Sequence, residues 1–215
     1  TINLSGYAAG TQSFFATQTV DECTSQQTEH SVQVNSIPDK PEVASVSICE
    51  NEDIIALTAE NTSGEVNWYS DENLSSPLAQ NTTTYTPDNK TSHDVYVTQT
   101  QNNCTSNPTK ASFTVNEIPE MVTFRLQESY KEICEKSEFA LIVNENDNIQ
   151  WYDSETSTIP IQTGRFLNRI YNDVGTFSFF ATQTINGCES ERNSRTIEVY
   201  PGPEPPSIIT NKLSL

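Results

Sequence analysis

Basic residues are scarce. Against 29 Asp and Glu, the 215-residue chain carries only 11 Lys and Arg, a formal charge of -18. Nucleic-acid binding needs clustered cations to neutralise phosphate, so it is excluded as a general role. An anionic membrane surface is excluded on the same ground. No apolar run approaches the roughly 20 residues of a spanning helix, so no membrane insertion is expected. Histidine occurs only as His30 and His93. There is no C-x-x-C, H-E-x-x-H, G-x-S-x-G or phosphate-loop pattern, and the chain reads as non-catalytic. Helical periodicity is missing over any whole helix length. Hydrophobic residues reach only 34%, yet Trp 2, Tyr 8 and Phe 9 suffice to seed cores.

Internal repetition is what the chain does have. SFFATQTVDEC ends at Cys23, DVYVTQTQNNC at Cys104 and SFFATQTINGC at Cys188, spaced by 81 and 84 residues. SICENEDIIAL around Cys49 and EICEKSEFALI around Cys134 are 85 apart, and VNWYSDE at Trp68 and IQWYDSE at Trp151 are 83 apart. A period this long suits whole small domains in tandem. Proline clusters at 35–43, 116–122 and 200–208 punctuate the chain in the same phase, as linkers or edge-strand starts. The expected division is 1–37, the C-terminal part of a repeat; 38–118 and 119–202, two complete repeats; and 203–215, a linker and the start of a further one. The chain is thus expected to be a window on a longer array.

Each repeat reads as strands. Val66 and Trp68 alternate with Asn67 and Tyr69, and Ile149 and Trp151 repeat the pattern. This makes Trp68 and Trp151 core residues and turns Tyr69 and Tyr152 to the opposite face, as candidates for a ligand face. Residues 94–100, 110–116, 176–184 and 195–200 have the Thr, aromatic and alternating content of strands. Gln18, Gln99 and Gln183, each between two Thr, point inward if the Thr face solvent, and a buried amide must then find partners. The cysteine-to-tryptophan order resembles that of immunoglobulin-like domains, and the fold class expected is all-β, as tandem β-sandwich domains, each with one intradomain disulfide.

Cysteine spacing carries that last point. Cys49–Cys104 and Cys134–Cys188 span nearly equal separations of 55 and 54 residues. Closing such a loop stabilises by about 4 kcal/mol in the chain-entropy model. Cys23 has no equivalent partner upstream, so its partner is expected outside the chain. Free buried thiols are the alternative. A bridge in each repeat would tie the entrance of the domain to its last hairpin rather than the two sheets at mid-core, and would imply an oxidising compartment. Acidic groups at Glu50, Glu52 and Asp53, at Asp71 and Glu72, at Glu145 and Asp147, and at Asp153 and Glu155 raise a calcium reading. They show no EF-hand spacing, and a solvated anionic surface is the competing explanation. No cofactor is expected, with calcium left open.

The unit ICE…WY…ATQT or VTQT…NC or GC, followed by a proline linker, resembles the immunoglobulin-like repeats of very large Bacteroidota surface proteins. These include gliding-motility adhesins of the SprB kind, exported by the type IX secretion system. The resemblance implies export, an extracellular cell-surface location and a stalk with a candidate adhesive surface, serving attachment or gliding. The partners it implies are neighbouring repeats of the same chain, surface polysaccharide or host and substratum glycans, and the secretion and motility machinery. The alternative function is an accessory or glycan-binding module of a secreted hydrolase.

Overall fold

The computed structural model describes residues 6–125, 132–145 and 148–208. Among these it is built of strands joined by turns, with no helix. The first strands are β1 (Gly10–Ala16), β2 (Thr19–Val20), β3 (Cys23–Thr24) and β4 (Thr28–Val34). The first complete repeat holds β5 (Glu42–Val43), β6 (Val46–Cys49), β7 (Leu57–Glu60), β8 (Glu65–Tyr69), β9 (Pro77–Gln80), β10 (Thr84–Tyr85), β11 (His93–Gln101), β12 (Cys104–Thr105) and β13 (Thr109–Asn116). The second holds β14 (Glu132–Cys134), β15 (Glu138–Ile142), β16 (Ile149–Tyr152), β17 (Gln162–Thr163), β18 (Phe166–Ile170), β19 (Gly175–Ile185), β20 (Cys188–Glu189) and β21 (Asn193–Tyr200).

Each complete repeat is a sandwich. In the first, the sheet β10-β7-β5 faces the sheet β6-β13-β11-β8-β9. In the second, the pair β15-β18 faces β14-β21-β19-β16-β17. The main sheets have the same strand order, and β12 and β20 each fold back on the long central strand. The period-2 pattern sets which side chains enter the core. In β7, Leu57 and Ala59 are buried while Thr58 and Glu60 are exposed, and in β21 Ile197 and Val199 are buried between exposed neighbours. Compact packing groups Thr1–Ile48 with Glu52–Val115, and Cys49–Asn51 with Asn116–Leu215.

Trp68 and Trp151 sit fully buried at the centre of the two cores. Trp68 packs with Leu57, Val66, Tyr85, Val97 and Phe113, and Trp151 with Phe139, Leu141, Ile149, Leu167 and Phe179. A buried indole needs an acceptor for its N–H. The Trp68 Nε1–H donates to the Thr82 carbonyl at 2.9 Å, and that of Trp151 to the Gly164 carbonyl at 2.7 Å. Both acceptors lie just past an edge strand, so each indole also pins a turn.

Candidate functional site

The repeated Thr-Gln-Thr…Cys element builds one local structure three times. Two residues with positive φ close a tight hairpin: Asp21 and Glu22, Asn102 and Asn103, Asn186 and Gly187. This is the geometry of a type I′ turn, which Asn and Gly adopt most easily. The cysteine is the first residue after each turn, opposite Val20, Gln101 and Ile185 respectively. A serine two positions later locks the hairpin. Ser25, Ser106 and Ser190 accept from the backbone N–H of Gln18, Gln99 and Gln183 at 2.9, 3.1 and 3.1 Å. Their own N–H groups donate back to the carbonyls of the same glutamines at 2.8, 2.9 and 2.9 Å.

The glutamine side chains hold the proline linkers. Gln99 is 1% exposed. Its Nε2 donates to the Asp39 carbonyl at 2.6 Å, and its Oε1 accepts from the N–H groups of Ser63 and Gly64 at 2.7 and 3.2 Å. In the second repeat the Gln183 Nε2 donates to the Glu120 carbonyl at 2.7 Å. Asp39 and Glu120 each follow a linker proline, Pro38 and Pro119. The amide thus satisfies a linker carbonyl that the prolines leave outside any strand ladder. Gln18, at the equivalent position, is exposed. The threonines beside these glutamines do not all face solvent as the alternation suggested. Thr98 and Thr182 are buried, so both faces of the central strands are covered there.

The disulfide corrects the spacing argument. The bond is Cys49–Cys188, with the Cα atoms 5.6 Å apart and a sequence separation of 139 residues. Neither Cys49–Cys104 nor Cys134–Cys188 forms, and each repeat does not close on itself. Cys23 and Cys134 are exposed and Cys104 is half-buried, all three as free thiols. The reason lies in strand direction. β14 pairs in parallel with β21, placing Cys134 beside Tyr200 at the far end of that strand. Cys188 lies where β21 begins, because Asn193 at the start of β21 pairs with Ala181. Seven residue steps at about 3.3 Å put roughly 23 Å between those ends, whereas a disulfide needs Cα atoms within about 7 Å. Entry strand and hairpin are the right kinds of partner, but they come from successive repeats.

Around the bond, Cys49–Asn51 packs with the second repeat. The Glu50 N–H donates to the Asn116 carbonyl at 2.9 Å, and its carboxylate accepts from the Ile118 N–H at 3.1 Å. The Asn116 side chain donates to the Asn186 carbonyl in the turn at 3.4 Å. A shallow groove here is lined by Glu50, Ile118, Pro119, Glu120, Met121 and Glu189, among others.

The tyrosine pair separates. Tyr69 is half-buried on β8, opposite Tyr96. Tyr152 is not a ligand-face residue, because only 2% of it is exposed. Its hydroxyl lies 2.6 Å from Gln150 Oε1 and 2.8 Å from Glu189 Oε1, and the Arg192 guanidinium covers its ring at 3.8 Å. Burial first, then the Glu189 carboxylate, push its phenol above the ordinary value. Arg192 in turn donates to the carbonyls of Ser154, Glu155 and Ser157, so the face is sealed by its own loop.

Several acidic side chains cap turns. Asp71 accepts from the N–H groups of Ser75 and Ser76, and Glu145 from the N–H and hydroxyl of Thr123. No cluster of three or more His, Cys, Asp or Glu with metal-holding geometry occurs among the described residues. Asp147 and residues 209–215, the second half of the expected start of a further repeat, lie outside the described residues.

A family model described as "Ig-like domain CHU_C associated" matches residues 38–117 and again 119–201. Among curated proteins nothing matches the sequence. Solved structures similar to this chain include murine CEACAM1b, at 15% identity and a TM-score of 0.41, covering 75% of this chain and 100% of that one. The chicken CNTN1 FN1-FN3 domains match at 11% identity and a TM-score of 0.41, covering 87% of this chain and 75% of that one. A chimeric titin Z1Z2 matches at 17% identity and a TM-score of 0.34, covering 78% and 100%.

Proposed function

We propose, from the premise that this chain belongs to the family of Ig-like domains associated with CHU_C, that it is a non-catalytic, extracellular repeat region of a cell-surface adhesin, serving as stalk and adhesive surface. The observation that carries the reading is the Cys49–Cys188 bond. Structural disulfides persist in oxidising compartments and are rare in the cytosol. A bond between consecutive repeats also suits a stalk, because tension along the chain is borne by a covalent link instead of by strand pairing alone. The linker carbonyls of Asp39 and Glu120, held by Gln99 and Gln183, serve the same end. Neighbouring repeats are the first partners. Polysaccharide or host and substratum glycans are the ligands, and export and gliding machinery of the Bacteroidota type IX kind is the cellular context.

Antibody labelling of intact cells that make the protein tests the reading. Labelling without permeabilisation, with attachment to a surface blocked by the Fab fragment, is the expected result. Signal only after permeabilisation overturns the location. Release into the medium on a polypeptide with hydrolase activity would instead favour an accessory module of a secreted hydrolase.

A further inference from the structure

Tyr69 and Tyr152 hold equivalent places, each following the core tryptophan and each opposite an aromatic of the long central strand, Tyr96 and Phe180. The second repeat covers its pair and the first does not. Three side chains hold Tyr152: Gln150 and Glu189 at its hydroxyl, and Arg192 over its ring. The residues that match these by repeat position are Asn67, Thr105 and Pro108. Asn67 Oδ1 instead accepts from the Asn81 N–H at 3.0 Å, and the Thr105 hydroxyl pairs with that of Thr100 at 3.0 Å. A proline has no guanidinium to lay over a ring. Tyr69 and Tyr96 are left half-buried, with one side of each open.

The open pair belongs to a row across the outer face of the main sheet. Tyr69 is opposite Pro77 of β9 on one side and Tyr96 of β11 on the other, and Tyr96 is opposite Lys110 of β13. Four strands spaced by about 4.8 Å make the row about 14 Å long, the reach of a short oligosaccharide. Asp94 and Ser112 stand on the same face, two residues along from Tyr96 and Lys110 and opposite each other. The Lys110 Nζ lies 2.8 Å from Asp94 Oδ2, and the Ser112 hydroxyl donates to Asp94 Oδ1 at 2.6 Å. The Lys110 and Asp94 side chains are 55% and 43% exposed, so positioned polar groups border the rings within reach of a ligand.

We propose that the row Pro77, Tyr69, Tyr96 and Lys110, with Asp94 beside it, is a binding site for a neutral glycan, which rests on the adhesive reading above. The π faces of the two phenols are electron-rich and pack against the weakly positive C–H face of a pyranose ring. The sugar hydroxyls donate to Asp94 and accept from Lys110, and a few placed polar groups at an apolar floor are what orient a small ligand. Charge selects against other occupants. A net charge of -18 repels polyanions, and Lys110, the cation of the row, is already neutralised by Asp94. An apolar protein surface would strip water from that ion pair and return no hydrogen bonds, whereas sugar hydroxyls replace the water. In the second repeat Arg192 closes the equivalent face, so binding belongs to the first.

The test is an NMR titration of the whole chain with isotope-labelled tyrosine rings. The probes are the neutral hexasaccharides cellohexaose, laminarihexaose, maltohexaose and mannohexaose, a hyaluronan hexasaccharide as polyanion, and the tripeptide Leu-Trp-Leu as apolar ligand. The expected result is that at least one neutral hexasaccharide shifts the Tyr69 and Tyr96 rings and leaves Tyr152 unmoved. Tyr96→Ala should weaken that binding about tenfold or more. Lys110→Ala, an exposed change that leaves the core intact, should weaken it about threefold or more. No shift with any neutral hexasaccharide, shifts that spare Tyr69 and Tyr96 or include Tyr152, preference for hyaluronan, ring shifts with the tripeptide alone, or undiminished binding by Lys110→Ala would each overturn the site. Attachment of cells blocked by the Fab fragment alongside any of these results leaves the adhesive reading standing and removes this site only.

Discussion

Thr98 and Thr182 occupy one repeated position, both fully buried, yet their hydroxyls fare differently. Thr182 donates to Glu189 Oε1 at 2.6 Å, while Thr98 Oγ1 has no partner. The first repeat has Thr105 where the second has Glu189. A buried hydroxyl without a partner costs desolvation that a methyl would not. Thr98→Val should therefore be neutral or stabilising by up to about 1 kcal/mol, and Thr182→Val should cost about 1–2 kcal/mol; urea unfolding of the two variants compares them directly. Gly64 is constrained by close approach: a Cβ there would lie 2.2 Å from the Thr100 carbonyl oxygen. Gly64→Ala should destabilise by about 1–3 kcal/mol, as overpacking does, and an unchanged thermal midpoint would contradict the packing described. The inward glutamines were legible in the alternation of β11 and β19. The buried threonines were not, because a sequence shows which residues share a face but not that the second face is covered as well. Tyr152 was misread for the same reason, its cover coming from Glu189 and Arg192, about 40 residues further on.

Strand positions were readable wherever β-branched and aromatic residues alternate. The expected strands at 94–100, 110–116, 176–184 and 195–200 lie within β11, β13, β19 and β21, each one to two residues longer. The short strands β5, β9, β10 and β17 carry no such pattern and are fixed by pairing with longer neighbours. The isolated bridge between Phe124 and Val143 is made by two backbone bonds, from the Arg125 N–H to the Ile142 carbonyl at 2.8 Å and from the Asn144 N–H to the Thr123 carbonyl at 2.9 Å. Beside it, Glu145 accepts from the Thr123 N–H at 2.9 Å and hydroxyl at 2.8 Å. Burial, the largest single influence, would raise this carboxyl, but the Thr123 hydrogen bonds, together with the backbone N–H groups of Glu145 and Asn144, outweigh it and hold it below its ordinary 4.5. A carboxyl depressed in the folded state contributes stability above its ordinary value and loses it as pH falls through the folded one. Stability should thus decline as pH drops below 4.5, and Glu145→Gln should flatten part of that decline in thermal unfolding measured across pH. An identical acid profile in the variant would remove Glu145 as a contributor. In the hairpins, Asn103→Gly reproduces the Asn186-Gly187 pair at a position with φ of 61°. It should leave the fold intact and raise stability by no more than about 1 kcal/mol.

At the scale of the molecule, charge and covalent connectivity dominate. With a net charge of -18, like-charge repulsion opposes compaction, and salt screens it over about 8 Å at physiological ionic strength. The melting temperature should rise as salt is added from low ionic strength, and a fall would show that ion pairs such as Lys110–Asp94, at 2.8 Å, matter more than the repulsion. The repeat count, the all-β class and the module type could be read from the anchors at Cys, Trp and Thr-Gln-Thr. The pairing of the cysteines could not, because two nearly equal intrarepeat spacings look the same whether the bond closes a repeat or joins two. What decides it is that the entry strand runs parallel to the closing strand and carries its cysteine to the end away from the hairpin, a fact of topology rather than of spacing. The 139-residue separation stabilises by about 5 kcal/mol in the loop-entropy model, somewhat more than either expected loop would. Peptide mapping of the unreduced protein after thiol labelling tests this most directly. A Cys49–Cys188 cross-linked peptide, with label on Cys23, Cys104 and Cys134, is the predicted result; Cys49–Cys104 and Cys134–Cys188 peptides would contradict it.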